Sequence, residues 1–375
     1  MSSKAPSFSV FNISSKCLLY YYDDKLKKDG DKMFRTVNYN DLKGNYLLVD
    51  VRSPEEYKEA SIPGAINIPI FDDKERQEIG YVYVNESVER AKKIGVEAVS
   101  KKLPFIYEQI SEFDKQYDKL VLFCARGGMR SSSLCSLFST LGLETYKLSG
   151  GYKGYRKFIN EELCKVNENI KYIVVHGKTG VGKTELLKYL ELNDMDVLDL
   201  EEAANHRGSL LGNVGLGEGR SQKQFESLVY ETLKSRKTDY VFVEGESKRI
   251  GNIIIPDYIY KSMERGVHVL ADADLDFRAK LIIKEYTNSE NSVEEILLSL
   301  DSLSRYISSK NIERYKNLVQ KGEFEEVAKE LMTKYYDPMY INGINKYQYE
   351  LELNLEDIKK AGEFLINWVE EYIHN

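Results

Sequence analysis

The sequence predicts two consecutive α/β domains followed by a helical C-terminal region. In both domains, short apolar runs typical of buried parallel strands alternate with amphipathic helices. Each domain also contains a strand that leads directly into a glycine-rich loop with basic residues. After about residue 289 the apolar residues recur with helical spacing instead. With 375 residues, the chain is long enough to form two separate hydrophobic cores.

We expect five parts along the chain. Residues 1–31 form an N-terminal extension without a recognisable motif, and residues 32–158 form the first α/β domain. A linker with some helical character covers residues 159–170. The second α/β domain spans residues 171–290, and the helical region 291–375 is expected to pack on it.

The first domain begins with a predicted strand over 46–51, which is almost entirely apolar. A short helix is predicted over 55–60 and a long helix over 84–110. The next strand covers 120–123, and a helix follows that begins near Ser131. This helix presents four apolar residues on one face, namely Leu134, Leu137, Phe138 and Leu141.

The second domain begins with a strand at residue 172, followed by a glycine-rich loop and a helix over 185–190. Its other strands are predicted over 196–200, 240–243 and 267–270. The chain ends in an amphipathic helix predicted over 364–373.

The composition, 42% hydrophobic and 30% charged, is ordinary for a soluble globular protein. The first twelve residues contain no basic segment followed by a long apolar run, and no apolar stretch has the length of a membrane span. We therefore expect a cytoplasmic protein without a membrane partner. The cysteines show no CxxC pairing, which predicts neither a zinc site nor a disulfide framework and fits a reducing compartment.

The net charge of −7 argues against indiscriminate nucleic-acid binding, but the charge is unevenly distributed. Residues 119–188 contain twelve lysines and arginines against five glutamates. Both glycine-rich loops fall in this basic stretch, which would suit a phosphate-rich partner. The alternative is that these side chains only solvate helix faces.

The first glycine-rich loop has the composition of a reactive-cysteine site. Cys124 follows a strand and precedes a helix, and the loop between them contains two glycines together with Arg126 and Arg130. Glycines allow backbone N–H groups to turn inward around an anion, and arginines add charge-assisted hydrogen bonds. Because cations and helix N-termini favour the thiolate, we predict that Cys124 is a nucleophile facing an anionic group.

Two families use such a loop. Protein phosphatases have an arginine six residues after the cysteine, as here, but they normally have histidine directly before it, where this chain has Phe123. Rhodanese-like sulfurtransferases share the loop and add upstream motifs that this chain contains over 49–57 and 62–69. The first domain therefore resembles a rhodanese domain. Cys135, on the apolar face of a helix, is predicted to be structural.

The second loop is a complete Walker A motif. Its residues are Gly177, Lys178, Thr179, Gly180, Val181, Gly182, Lys183 and Thr184. The backbone amides would surround a diphosphate, Lys183 would neutralise its charge, and Thr184 would ligate Mg²⁺ at the start of a helix. Glu244, which follows a predicted strand, is the candidate acidic partner for Mg²⁺, and Asp199 is the alternative; either could instead be a surface charge at a strand end.

Further segments are similar to signatures of the tRNA 2-selenouridine synthase family, in which a rhodanese domain is fused to a P-loop domain. They cover 198–209, 222–226, 243–251 and 335–340, and the resemblance extends over about 37–349. The segment 335–340 is expected to pack the helical region against the P-loop domain.

The resemblance implies an activity and co-substrates. The family replaces sulfur by selenium at C2 of wobble 2-thiouridine in tRNA, with selenophosphate as the selenium donor. Members also attach a geranyl group to that sulfur from geranyl diphosphate, and the S-geranyl nucleoside is the intermediate. We therefore expect the Walker loop to hold a prenyl diphosphate, or else a nucleotide, and expect no tightly bound cofactor. Whether Cys124 carries selenium covalently or positions the donor stays open.

Four basic residues within these segments are candidate contacts to phosphate or substrate. His206 and Arg207 lie in a stretch rich in Gly, Asn and Ser, which predicts an ordered loop over the site. Lys248 and Arg249 follow Glu244 closely and are candidates for contacting tRNA or diphosphate. The alternative for all four is that they are simply polar residues on the surface of a loop or turn.

Two other functions remain open at this point. The first is a phosphatase-like or rhodanese-like module fused to a P-loop kinase or NTPase, which would need Cys124-dependent hydrolysis of a phosphate ester. The second is a non-catalytic rhodanese module on a P-loop NTPase. Retention of Cys124 with Arg126 and Arg130 disfavours this second reading, because a degenerate module has no need of them.

Overall fold

The computed structural model describes residues 34–374, except for 210–211, 213 and 288–291. The predicted N-terminal extension and Cys17 lie outside the described residues. The chain divides into two compact units. The first contains Gly64–Gly154 and the residues up to Pro54, whereas Glu55–Pro63 group with Tyr155–Asn375 in the second.

The first unit is built on a five-stranded parallel sheet with strand order β1-β5-β4-β2-β3. Four residues of each of the two central strands are buried, as expected for a parallel sheet covered on both faces. The strands are Arg35–Val37 (β1), Tyr46–Asp50 (β2), Ile66–Asn67 (β3), Lys119–Phe123 (β4) and Thr145–Leu148 (β5).

The α-helices in this part of the described chain are Pro54–Glu59 (α1), Asp73–Asn85 (α2), Val88–Asp114 (α3), Met129–Thr140 (α4) and Gly151–Asn167 (α5). Most of α1 and most of α5 group with the second unit. Instead of the single helix predicted over 84–110, the structure has α2 and α3 with a break between them. Ser87 causes this break because its side chain accepts a hydrogen bond from Arg90 N and thereby starts a new helix.

The second unit contains another five-stranded parallel sheet, with strand order β12-β11-β6-β8-β7. Its strands are Lys171–Gly177 (β6), Val197–Leu198 (β7), Tyr240–Glu244 (β8), Val267–Asp272 (β11) and Leu351–Asn354 (β12). A separate antiparallel pair consists of Arg249–Ile250 (β9) and Ile253–Ile254 (β10).

Ten α-helices accompany this sheet among the described residues after α5. They are Lys183–Leu192 (α6), Leu200–Ala204 (α7), Gln222–Ser235 (α8), Asp257–Glu264 (α9), Leu275–Tyr286 (α10), Ser292–Ser302 (α11), Ser309–Gln320 (α12), Phe324–Leu331 (α13), Asp337–Ile344 (α14) and Ile358–His374 (α15). A single π-helical turn, Met332–Tyr336, joins α13 to α14. None of the helices in the described ranges is long and apolar enough to cross a membrane.

The structure corrects three details of the expected organisation. Residues 159–170, expected to be a linker, lie mostly within α5, which ends at Asn167. The strand predicted over 196–200 is only β7, because the Asp199 side chain accepts a hydrogen bond from Glu202 N and starts α7. The C-terminal region is not entirely helical, since β12 extends the second sheet beside β11.

The C-terminal region nevertheless packs on the part of the second unit that contains the Walker loop. Leu365 and Val369 of α15 belong to the same buried cluster as Leu186 and Leu190 of α6 and Val175 of β6. The helix that follows the Walker loop is therefore held between the sheet and the C-terminal helix.

Candidate functional site

The cysteine loop joins β4 to α4 at the carboxyl end of the first sheet. Gly127 adopts a φ of 63°, a conformation that favours glycine. The backbone of the β5–α5 turn braces the loop, since Tyr152 N donates to Cys124 O and Lys153 N to Ala125 O, each at 2.9 Å. A side chain on Gly151 would come within 2.2 Å of Cys124 O, so only glycine permits this approach.

The thiol of Cys124 is buried but set up to ionise. Its Sγ lies 3.3 Å from Ser131 Oγ and 3.9 Å from Gly128 O. Burial alone would raise the pKa of Cys124, but hydrogen bonds from Ser131 and the charge of Arg130 outweigh it, and the net pKa is lowered. The Arg126 backbone contributes in the same direction. The loop therefore favours an anionic sulfur.

Cys135 behaves differently from Cys124. It is completely buried in the core of the first unit, and this burial raises its pKa to about 12. The thiol is therefore protonated and inert at neutral pH, as expected for a structural cysteine.

Sequence analysis missed several residues that support the cysteine loop. Arg52 makes a buried ion pair with Asp50 and lies 4.2 Å from the ring centre of Tyr152, next to the turn that braces the loop. Lys147 on β5 donates to Gly127 O at 3.3 Å. Arg52 could have been identified from its place two residues after the end of β2, within the motif at 49–57.

The Walker loop joins β6 to α6 in the second unit. Gly180 and Gly182 have φ values of 75° and 101°, which allow the backbone to turn its amides toward a ligand. Lys183, the first residue of α6, donates to Gly177 O at 3.3 Å and so lies across the loop. This geometry fits a diphosphate at the helix N-terminus.

Buried carboxyl groups lie beside this loop. Glu201 N donates to Glu244 Oε1 at 2.7 Å. Burial raises the pKa of Glu244 well above its ordinary value, and Asp199 and Glu201 raise it further. Burial also raises the pKa of Glu246, while Lys183 opposes this rise. No three His, Cys, Asp or Glu side chains in the described ranges form a metal site by themselves.

A cavity of about 680 Å³ opens next to the first glycine of the loop. Polar residues on its wall include His176, His206 and Glu246. The remaining wall combines the basic side chains of Arg220, Arg249 and Lys346 with aromatic and aliphatic residues, namely Tyr260, Tyr336, Tyr340, Tyr347, Ile253 and Ile344. A cavity of this size, in which polar groups converge beside apolar ones, is typical of a small-molecule site.

The structure brings only two of the four basic candidates to this cavity. His206 and Arg249 line it. Arg207 instead lies 4.9 Å from the ring centre of Tyr286 and donates to Val214 O. Lys248 forms an exposed ion pair with Asp257 at 2.6 Å, so it too is occupied within the protein.

Sequence analysis did not single out His176 or Glu246, although both line the cavity. His176 immediately precedes the Walker loop, and Glu246 lies in the quoted segment 243–251. Both residues could have been identified from their positions near the ends of predicted strands, because ligands bind beyond the carboxyl ends of parallel strands.

Together, the two parallel sheets and their anion-binding loops define a rhodanese-like domain followed by a P-loop domain, as predicted. The rhodanese-like domain family matches residues 37–158, and the family described as tRNA 2-selenouridine synthase AAA domain matches residues 170–372. The chain belongs to the tRNA 2-selenouridine synthase family, which confirms the resemblance.

Curated relatives agree with this assignment. The tRNA 2-selenouridine synthase of Nitrosomonas europaea is 30% identical, and the match covers 80% of this chain and 89% of the relative. The enzyme of the same name from Bordetella petrii is 30% identical over 81% of this chain and 89% of the relative. The tRNA 2-selenouridine synthase of Nitrosomonas eutropha is 28% identical, and the match covers 80% of this chain and 89% of the relative.

Proposed function

We propose that this protein replaces sulfur by selenium at C2 of wobble 2-thiouridine in tRNA. Selenophosphate is the selenium donor, and the sulfur is first geranylated by geranyl diphosphate. Cytoplasmic tRNA is the macromolecular partner. Membership of the tRNA 2-selenouridine synthase family supports the overall reaction. The observation that carries the prenyl step is the position of the Walker loop between two different cavities.

The first of these is the 680 Å³ cavity, which has polar groups suited to a nucleobase. The second is a crevice between helices α10 to α13 that reaches Thr179 of the Walker loop. Ser209 and Tyr336 line both. The crevice is lined mainly by Ile282, Ile296, Leu300, Val319, Phe324 and Val327.

The crevice beside the diphosphate loop has a volume of only about 70 Å³, so it would hold part of a ten-carbon prenyl chain, and its apolar lining favours such a chain over a nucleotide. A ribose and base would lose hydrogen bonds to water on entering it, whereas burial of a geranyl chain is favourable by roughly 25 cal/mol per Å² of apolar surface. The backbone amides of the loop and Lys183 would then stabilise the diphosphate as it leaves.

Thr184 and Glu244 fit a Mg²⁺ ion that arrives with the diphosphate. Glu244 is buried, and no N–H or O–H group among the described residues donates to its Oε2. A bound cation would displace the proton that the raised pKa of Glu244 keeps on this carboxyl, and the oxygen without a donor would then be a ligand beside phosphate oxygens and water. When bound, Mg²⁺ would neutralise charge on the diphosphate.

The cysteine loop is the proposed site for the selenium donor. Selenophosphate is an anion, and the loop combines inward-facing amides with Arg126, Arg130 and the ionisable Cys124. Geranylation prepares C2 for this second step, because an alkylated sulfur leaves more readily than a thiocarbonyl sulfur. The selenium of selenophosphate then bonds to C2 as the geranylthiolate leaves, and water cleaves the phosphorus–selenium bond to release phosphate.

Mass spectrometry of nucleosides tests this function directly. Purified protein is incubated with 2-thiouridine tRNA, geranyl diphosphate and selenophosphate, and each donor is omitted in turn. We expect an S-geranyl nucleoside without selenophosphate and its conversion to selenouridine when selenophosphate is added. Unchanged 2-thiouridine from a folded sample that binds tRNA would refute the proposal and favour nucleotide hydrolysis at the Walker loop.

A further inference from the structure

His176 is the last side chain before the Walker loop and lines the 680 Å³ cavity. In the second sheet, Val175 pairs with Glu244, so the next residues, His176 and Gly245, lie on the opposite face of the sheet from Glu244. His268 on β11 shares the face of His176. His176 therefore lines the cavity, with His268 beside it on the face of the sheet opposite Glu244.

The hydrogen bonds of this pair assign its tautomers. His268 Nε2 lies 3.3 Å from the carbonyl oxygen of Glu264, which can only accept, so this nitrogen carries a proton. His268 Nδ1 is then the acceptor for His176 Nε2, at 2.9 Å. The proton of His176 is thus on Nε2, and its Nδ1 is an unprotonated acceptor. No described residue donates to Nδ1.

Packing fixes the orientation of the His176 ring. The ring of Tyr347 covers both histidines, with centroid distances of 4.6 Å to His176 and 4.1 Å to His268. A side chain on Gly245 would come within 2.4 Å of Nδ1 and 2.7 Å of Cε1, so only glycine lets the backbone pack this closely on the His176 ring. Burial, reinforced by His268, lowers the pKa of His176 to about 3, so the ring is neutral at physiological pH.

We propose that His176 Nδ1 accepts the N3 proton of the 2-thiouridine base while its sulfur is prenylated at the Walker loop. This inference rests on the proposed function. As the sulfur–carbon bond forms to C1 of the prenyl group, the C1–oxygen bond breaks and its electron pair leaves with the diphosphate. The N3–H bond then supplies the electrons of the new N3=C2 double bond, and its proton moves to Nδ1.

A weak base suffices for this step. Alkylation of the sulfur places positive charge on the base, so the N3 proton becomes strongly acidic as the reaction proceeds. The imidazolium that forms donates from Nε2 to His268, which stabilises it through the existing hydrogen bond. The role is therefore that of a catalytic residue that contacts the substrate.

The other candidate bases of the cavity are already occupied. His206 Nδ1 accepts a hydrogen bond from Gly208 N at 3.1 Å. The carboxyl of Glu246 interacts electrostatically with Lys183, the lysine of the diphosphate site. These two residues supply the matched comparison variants, His206→Asn and Glu246→Gln.

Two assays separate the proposed role from a structural one. The first measures single-turnover prenylation of 2-thiouridine tRNA by geranyl diphosphate. The second measures conversion of S-geranyl tRNA, prepared beforehand, to selenouridine by selenophosphate, and its base has no N3 proton. We expect His176→Ala to slow the first reaction by about 100-fold, which is typical of losing a general base, and to leave the second within about twofold. Added imidazole should restore part of the first.

His176→Phe keeps an aromatic ring under Tyr347 but removes both nitrogens, so it should show the same loss of prenylation. Equal losses in both assays with no effect of imidazole would overturn the proposal and make His176 structural. So would full prenylation by His176→Ala, and a loss in His206→Asn or Glu246→Gln would then identify the base instead. A wild-type protein that does not prenylate would instead refute the proposed function.

Discussion

Arg278 and Asp337 form a buried, two-pronged ion pair that reaches the Walker loop. Arg278 NH2 lies 2.6 Å from Asp337 Oδ1, and NH1 lies 3.0 Å from Oδ2. The remaining nitrogen, Nε, donates to Thr179 O at 3.0 Å. Asp337 at the start of α14 therefore fixes the phosphate loop through Arg278, in the way that the segment 335–340 was expected to pack.

Asp337→Asn should lower the free energy of unfolding and weaken the binding of diphosphate at the Walker loop. The Arg278 side chain is only 4% exposed, so loss of its partner leaves a buried charge without compensation, at a cost of about 3 kcal/mol. Urea unfolding and calorimetric binding of inorganic diphosphate measure the two effects. Asp194→Asn, which breaks the exposed pair with Lys237, is the control and should cost under about 1 kcal/mol. Equal costs would contradict the proposed support.

Cys124→Ser should abolish selenium incorporation and spare geranylation, because only the first is assigned to the cysteine loop. Nucleoside mass spectrometry with each donor alone measures both steps. Cys164→Ser, at a half-buried position outside the loop, is the control. Loss of both steps in Cys124→Ser would mean that the thiol is structural or shared between them.

Lys183→Ala should impair the geranylation step more than any other step of the reaction. The lysine would neutralise the diphosphate, and its removal costs charge stabilisation when that group leaves, by about 100-fold in rate. Lys188→Ala, one turn further along α6 and exposed, is the matched control. Unchanged prenyl transfer in Lys183→Ala would refute the diphosphate assignment.

Alkylation by iodoacetamide should reveal the ionised thiol. Because the pKa of Cys124 is lowered, it should react at a lower pH than an ordinary cysteine, whereas Cys135, with a pKa of about 12, should stay unmodified at neutral pH. Ser131→Ala removes a hydrogen bond to the thiolate, so it should shift the Cys124 profile to higher pH. Peptide mass spectrometry follows both cysteines, and an unshifted profile would contradict the role of Ser131.

Ala328→Leu should narrow the apolar crevice and select against the prenyl chain. Ala328 lines this crevice, and the added carbons occupy space needed by the chain. We expect affinity for geranyl diphosphate to fall about tenfold, equivalent to about 1.4 kcal/mol, while inorganic diphosphate binds as before. Calorimetry with both ligands is the measurement. An equal loss for both would indicate damage to the loop instead of the crevice.

The parts of the site that are local in sequence were predictable. The Walker loop and the cysteine loop each follow a strand and precede a helix within about ten residues, and their chemistry depends on backbone amides and neighbouring side chains. The strands that precede them also matched closely, because buried parallel strands are continuous apolar runs.

What the sequence could not predict depends on contacts between distant segments. His176 and His268 meet across neighbouring strands although 92 residues separate them. Likewise, β12 was hidden within a helical pattern, since a short edge strand carries no strong periodicity of its own.

The sequence by itself thus determined the two domains, the two glycine-rich loops with their candidate residues, and the family. Only the tertiary structure decided which residues surround the Walker loop: the histidine pair, the carboxyl cluster, the crevice and the Arg278–Asp337 support. The physical reason is that strand register and helix packing bring these groups together, and neither is encoded in a short run of residues.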